Sequence, residues 1–172
     1  FKKVDINSYY KGHEWKFMEY FHAKYNFCAY KYFSGSNNYL ARGHLVPDAD
    51  FSTREKKQTT FNYINTAPQF QNVNQGDWFR VENYVRKMAE GFNRNLPQKR
   101  NRNSKPEAEV HITVVTGVLG VTQIQIPKTV ANEKLYLGDD TKVPVPRLFW
   151  KAAIYPPNSG KRDLIFLRSN LY

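Results

Sequence analysis

Cysteine is nearly absent from this chain: Cys28 is the single one in 172 residues. One thiol excludes an internal disulfide and any multi-cysteine zinc site. It leaves Cys28 either as a buried free thiol or as a bridge to another chain. Long apolar runs are also missing, with nothing near the roughly 18 residues needed to cross a bilayer. No cationic amphipathic segment stands out either, so no membrane partner is expected. Acids are scarce. Only 15 Asp and Glu stand against 26 Lys and Arg, a formal net charge of +11, which makes a polyanion, nucleic acid first, the partner to consider. A sequence repeat and a break in composition are absent too, so residues 1–172 are expected to form one domain. The chain opens at Phe1 without Met or a signal-like apolar segment. The expectation is a processed or incomplete domain, completed by a second chain or by a homo-oligomer.

What is abundant is aromatic: 12 Tyr, 12 Phe and 3 Trp, far more than a disordered basic tail would hold. Residues 1–33 interleave these aromatics with Lys in no clean period and read as short strands and turns. In "QTTFNYINTAPQF" the Thr, Phe and Tyr favour a strand, with Pro68 limiting its far end. Trp78, Val81, Val85, Met88, Ala89 and Phe92 then recur on one face of a 3.6-residue period, which predicts the main helix over residues 77–92. "LPQKRNRNSKP" is a basic loop whose Lys99, Arg100, Arg102 and Lys105 could form an arm along nucleic acid. "EVHITVVTGVLG" predicts a buried strand with Gly117 and Gly120 at its exit, and His111 packed or at an edge. "VPVPRLFWKAAIY" and "DLIFLRS" predict two more strands around the turn "PPNSGK".

Two stretches carry chemistry. In "ARGHLVPDADF", Arg42 offers a planar fork of donors for phosphate oxygens, and His44 near its ordinary pKa can take a proton from water. Asp48 and Asp50 either hold a cation together or brace the turn before Phe51. On the predicted helix, Glu82 and Arg86 stand at i, i+4 and share a face, with Asn74 just ahead of them. His13, His22 and Cys28 lack partners that would suggest catalysis.

"ARGHLVPDADF" followed by "NYINTAPQFQNVNQGDWFRVENYVR" resembles the sugar-nonspecific DNA/RNA endonuclease family, which takes in secreted bacterial and mitochondrial endonuclease G-like members. "VVTGVLG" and "VPVPRLFWKAAIY" are similar to the family's later strand and its Val-Pro-x-x-x-x-Lys segment, so the likeness runs over about residues 37–167. The resemblance implies an α+β fold with a mixed or antiparallel central sheet, a ββα-metal nuclease motif and one main catalytic helix. It also implies a secreted or extracellular protein, with a mitochondrial one as the alternative. Carried over by motif, His44 is the general base, Asn74 the metal ligand, and Glu82 the group that orders water around the metal. Arg42 and Arg86 are the phosphate-stabilising arginines, and Lys151 is structural or phosphate-facing. The implied cofactor is Mg²⁺, with Mn²⁺ as a substitute, and the implied substrates are DNA and RNA. Two positions depart from the family. Ala41 stands where Asp is usual, and no arginine precedes Arg42, leaving Lys24 or Lys31 as imperfect substitutes for an upstream phosphate-holding arginine. These departures motivate the alternative of a nuclease-fold protein that binds nucleic acid with little or no turnover.

Overall fold

The computed structural model describes residues 10, 13–33, 38–94, 111–127, 132–137 and 143–171. The first correction concerns residues 1–33, whose described part holds helices in place of the expected strands, with a turn over residues 26–29. Helix α1 spans His13–Tyr25 and α2 spans Tyr30–Phe33. Phe17, Phe21 and Tyr25 stand four apart on α1 and form one stripe into the core. Trp15 and Tyr20 lie off it and are exposed. Aromatics on both sides blur the period, and their strand propensity misleads. Phe17 stacks on Phe33 at 4.8 Å and Phe33 meets Phe70 at 5.7 Å, which docks the pair of helices onto the next unit.

That unit is an antiparallel pair, β1 (Leu40–His44) and β2 (Thr66–Phe70), joined by a connection carrying α3 (Arg54–Thr59). Only the second half of "QTTFNYINTAPQF" is strand. Pro68 sits within β2 rather than ending it, opposite Arg42. After β2 the backbone coils through a short helical turn, Gln71–Val73, and a wider π-helical turn, Asn74–Trp78, whose path breaks at Gly76. It then enters α4 (Phe79–Arg94). Val81 and Val85 are the buried face of α4, as its apolar spacing predicts.

The rest is antiparallel sheet, but in separate pieces rather than one central sheet. β3 (Thr113–Val121), β8 (Pro146–Ile154) and β9 (Leu164–Ser169) pair in the order β3-β8-β9. Between β3 and β8 lie the small pairs β4 (Gln123–Gln125) with β5 (Asn132–Lys134), and β6 (Tyr136–Leu137) with β7 (Val143–Pro144). Gly120 lies at the end of β3, but Gly117 lies inside it: an added Cβ there would come within 2.6 Å of the Trp150 ring, so the glycine is the seat of that indole. The α+β class and the antiparallel pairing are as expected. The Lys99–Lys105 loop, and the Lys31 side chain, lie outside the described residues. Among the described residues, no helix is long and apolar enough to cross a membrane.

One buried side chain links the β1-β2 pair to the three-stranded sheet. Asn170 is fully buried. Its Oδ1 accepts from the Phe70 amide at 3.0 Å, and its Nδ2 donates to the carbonyls of Pro68 and Pro146 at 3.1 and 2.8 Å. A buried amide with its main capacity used in this way rigidifies what it joins, and here it holds β2 against β8.

Candidate active site

The end of β1 is held from several directions. The Trp78 indole N–H, fully buried at the start of the helical region, donates to the His44 carbonyl at 3.4 Å. One residue on, Leu45 N–H donates to Asn65 O at 2.9 Å, while Leu45 O accepts from Lys151 Nζ at 3.0 Å. The His44 ring meets Phe61 edge to face at 4.6 Å. Its Nε2 is buried without a hydrogen bond, so exchange of a proton with water falls to Nδ1. Burial pushes the imidazole pKa below its ordinary range, with Asp48 opposing and Arg42 assisting. The ring is therefore neutral at pH 7, the form a base needs.

Across from it, α4 presents Glu82. Burial raises the Glu82 carboxyl to about 7, against the pull of Lys151 and Arg86 and with the push of Asp50 and Asp48. Asp48 acts on both His44 and Glu82, so these three groups share one electrostatic neighbourhood. Arg86 donates from Nε and Nη2 to Asp50 Oδ1 at 3.1 and 2.9 Å, and from Nη1 to Asn83 at 2.7 Å. A guanidinium has five N–H donors, so donors remain beyond those given to Asp50 and Asn83. Asp50 thus braces the helix from the loop rather than pairing with Asp48. Arg42 is exposed at the rim. Asn74 donates from Nδ2 to Gln71 at 3.2 Å, which leaves its Oδ1 as an oxygen donor. No hydrogen bond links Asn74 to His44 or Glu82.

Lys151 is the residue that sequence reasoning underrated. It is 2% exposed, donates to Thr116 Oγ1 at 2.7 Å as well as to Leu45 O, and lies 5.4 Å over the Trp78 ring. A phosphate-facing role does not fit that burial. Its charge reaches Glu82 instead, and burial lowers its own pKa. One lysine inside the apolar strand "LFWKAAIY" was the signal, since buried lysines are rare unless paired. Gln69 is the second such residue: fully buried, with neither amide atom hydrogen-bonded. It lies over Gly43, where an added Cβ would come within 2.3 Å of Oε1. That close approach, not a turn, is the reason for glycine beside His44.

Other expectations resolve simply. Cys28 is an exposed free thiol, not a buried one. Lys24 is engaged with Tyr20 and Glu133, on the α1 surface. His22 and His111 are exposed. Among the described residues, no three His, Cys, Asp or Glu side chains gather as a metal cluster.

A sequence model described as DNA/RNA non-specific endonuclease matches residues 2–170. A salivary endonuclease of Lutzomyia longipalpis is 39% identical over 168 residues, which cover 98% of this chain and 35% of that protein. A salivary endonuclease of Culex quinquefasciatus is 30% identical over 115 residues, 66% of this chain and 25% of that protein. Salivary protein Tsal1 of Glossina morsitans morsitans is 40% identical over 52 residues, 30% of this chain and 13% of that protein. The chain spans about a third or less of the length of these relatives.

Proposed function

From its membership of the DNA/RNA non-specific endonuclease family, to which this chain belongs, we propose that it hydrolyses internal phosphodiester bonds in DNA and RNA with little sequence preference. The observation that most supports this reading is that a half-buried, neutral His44 with its Nε2 enclosed and a half-buried Glu82 share the field of Asp48, with Lys151 behind the strand end. His44 Nδ1 takes the proton of a water attacking in line at phosphorus. Arg42 at the rim holds the phosphate, and the positive charge of Arg86, steadied by Asp50, offsets the added negative charge of the transition state. Backbone contacts do not read bases, so sequence tolerance follows.

The donor set fits a hard divalent cation. Asn74 Oδ1 is available, and Glu82 is a half-buried carboxylate made more basic by desolvation. In this proposal Asn74 is the protein ligand of Mg²⁺, or of Mn²⁺ in its place, and Glu82 orders its hydration shell, since Mg²⁺ keeps most of its waters. When bound, the cation supplies Lewis-acid stabilisation of the phosphate and of the departing 3′ oxygen. The relatives are named for saliva, so the chain is a secreted protein, and the mitochondrial alternative has no support.

The test is digestion of single- and double-stranded DNA and of RNA with Mg²⁺, Mn²⁺ or chelator. Cleavage that needs the metal, and a His44→Ala turnover lower by about 10²–10⁴ with little change in binding, are expected. Binding without cleavage under every metal condition supports the second reading, a binding protein with the nuclease fold. The observation favouring that reading is the bare Ala41, opposite Gln69 in the register, with the Gln69 amide left unpartnered.

A further inference from the structure

The connection between α3 and β2 places two apolar side chains in water, one of them against His44. Phe61 is 53% exposed although its ring rests against His44, and Ile64 is 92% exposed. Isolated apolar groups on a surface are ordinary. These two differ in being rigidly held. Asn65 Oδ1 accepts from Val46 N–H at 3.1 Å, and its Nδ2 donates to the carbonyls of Val46 and Thr60 at 2.8 and 2.9 Å. Phe61 N–H is fixed to Gln58 O at 3.2 Å and Asn65 N–H to Asn62 O at 2.8 Å. Asn65 thus ties the far end of the segment to Leu45 and Val46, just past His44, and reaches back to Thr60 at its near end, which holds the segment in place.

The neighbourhood states what such a ledge would meet. Arg42 and His44 stand two apart on β1 and so on the same side of the strand, and on the nuclease reading a phosphate held by the guanidinium is presented to the imidazole. The base carried by an adjoining nucleotide is then a flat π surface within reach of an exposed aromatic ring, and aromatic stacking of this kind tolerates any base. We infer that Phe61, with Ile64 beside it, forms a stacking ledge for an unpaired nucleobase next to the scissile phosphate. This rests on the nuclease reading and deepens it: the favoured substrate is single-stranded or locally unpaired nucleic acid, because a base inside a duplex cannot leave its stack without cost.

Binding to short fluorescein-labelled single strands in EDTA tests it, comparing oligothymidine with a polymer of equal length made entirely of abasic residues. The two present the same backbone charge, and only one has bases. Wild-type protein prefers oligothymidine by roughly tenfold in Kd, the order of a lost base–aromatic stack. In Phe61→Leu, which keeps an apolar contact with His44, the preference falls to within about twofold, and Phe61→Trp retains it. An equal preference in wild type and Phe61→Leu overturns the ledge, as does a wild-type protein that binds both polymers alike or neither. A preserved preference in a protein that cuts nothing with any metal refutes the nuclease reading and leaves the ledge standing.

Discussion

The two faces of β8 reverse the usual rule for a strand. Toward α4 it turns Phe149, Lys151 and Ala153, all buried, so the one charged side chain of the strand's central stretch is on the inside. Outward it turns Leu148, Trp150, Ala152 and Ile154. The register sets beside them Val115 and Leu119 of β3 and Ile165 and Leu167 of β9, of which Leu119, Ile165 and Leu167 are more than half exposed. Hydropathy alone would exchange these faces. The difference teaches that burial here follows the chemistry of the site. The inner face spends folding free energy to keep Lys151 and Glu82 in a poorly solvated setting where charges act strongly, while the outer face obtains no such return from its apolar groups.

Breaking the inner face has the largest expected effect. Lys151→Met keeps the volume but leaves Leu45 O and Thr116 with a lost donor and Glu82 without its principal opposing cation. Removing one partner from such a buried arrangement costs on the order of 3 kcal/mol, read as a lower urea midpoint at unchanged slope. Because Leu45 adjoins His44, turnover should fall as well. A midpoint within about 0.5 M of wild type, where about 3 kcal/mol corresponds to a shift of about 1 M or more, would show that Lys151 bears no structural load.

The next effect has the opposite sign. The Glu82 carboxyl titrates at about 7 in the fold against an ordinary 4.5. Its folded pKa is raised, so the native state keeps a proton that the unfolded chain has released. The penalty is absent below pH 4.5, grows as pH rises through that window and is complete above 7, at about 3 kcal/mol. Glu82→Gln should therefore stabilise the metal-free protein at pH 8 and do nothing at pH 4. Mg²⁺ should raise the melting temperature of wild type at pH 8 more than that of the variant. Equal melting temperatures of the two proteins at pH 8 would deny the burial cost.

How much of this was legible follows the same division. β3, β8, β9 and α4 were readable as elements, with Phe149 and Ala153, and Val81 and Val85, keeping their buried periods, but β3 is not the buried strand expected: none of its residues is buried, and Val115 and Leu119 are exposed. His44 and Glu82 were singled out by motifs in a fixed order, and the fold puts both in the field of Asp48. Helix α1 was not, since Phe17, Phe21 and Tyr25 form its buried stripe while Trp15 and Tyr20 obscure it. The wide turn at Asn74–Trp78 depends on a backbone break at Gly76, for which a single glycine is no adequate signal. Burial of Lys151 had a signal in its apolar surroundings, but that of Gln69 was beyond reach from the sequence, since only the packing of β2 encloses it.

A smaller effect sharpens the account of Gln69. Gly43→Ala drives a methyl group into its amide, and overpacking of this kind costs about 2 kcal/mol. If Gln69 is the obstacle, the loss shrinks when Gln69→Ala is combined with it, and a double-mutant cycle measures the coupling. Additive losses would place the strain elsewhere. Ala41 faces Gln69 across the strand pair, where opposite side chains are close enough to bond. Ala41→Asp should then raise stability by about 1 kcal/mol by giving the orphaned amide a partner, and raise turnover through a steadier His44.

The smallest effect is expected on the outer face, and that is what makes it informative. Ile165 and Leu167 are apolar, in regular strand and central to their face, features that in a core would make Ile→Ser and Leu→Ser severe. Their exposures of 72% and 55% mean that little area leaves water on folding, and truncation opens no cavity. Each substitution should change the unfolding free energy by no more than about 0.5 kcal/mol. Phe149→Ala, on the opposite face of the neighbouring strand and fully buried, should cost about 3–5 kcal/mol. Unfolding measured at two protein concentrations checks the contrast. If Ile165→Ser costs more than about 1.5 kcal/mol only at the higher concentration, the outer face is covered by self-association in solution. If it costs that much at both, β9 carries packing within the chain that its exposure does not account for.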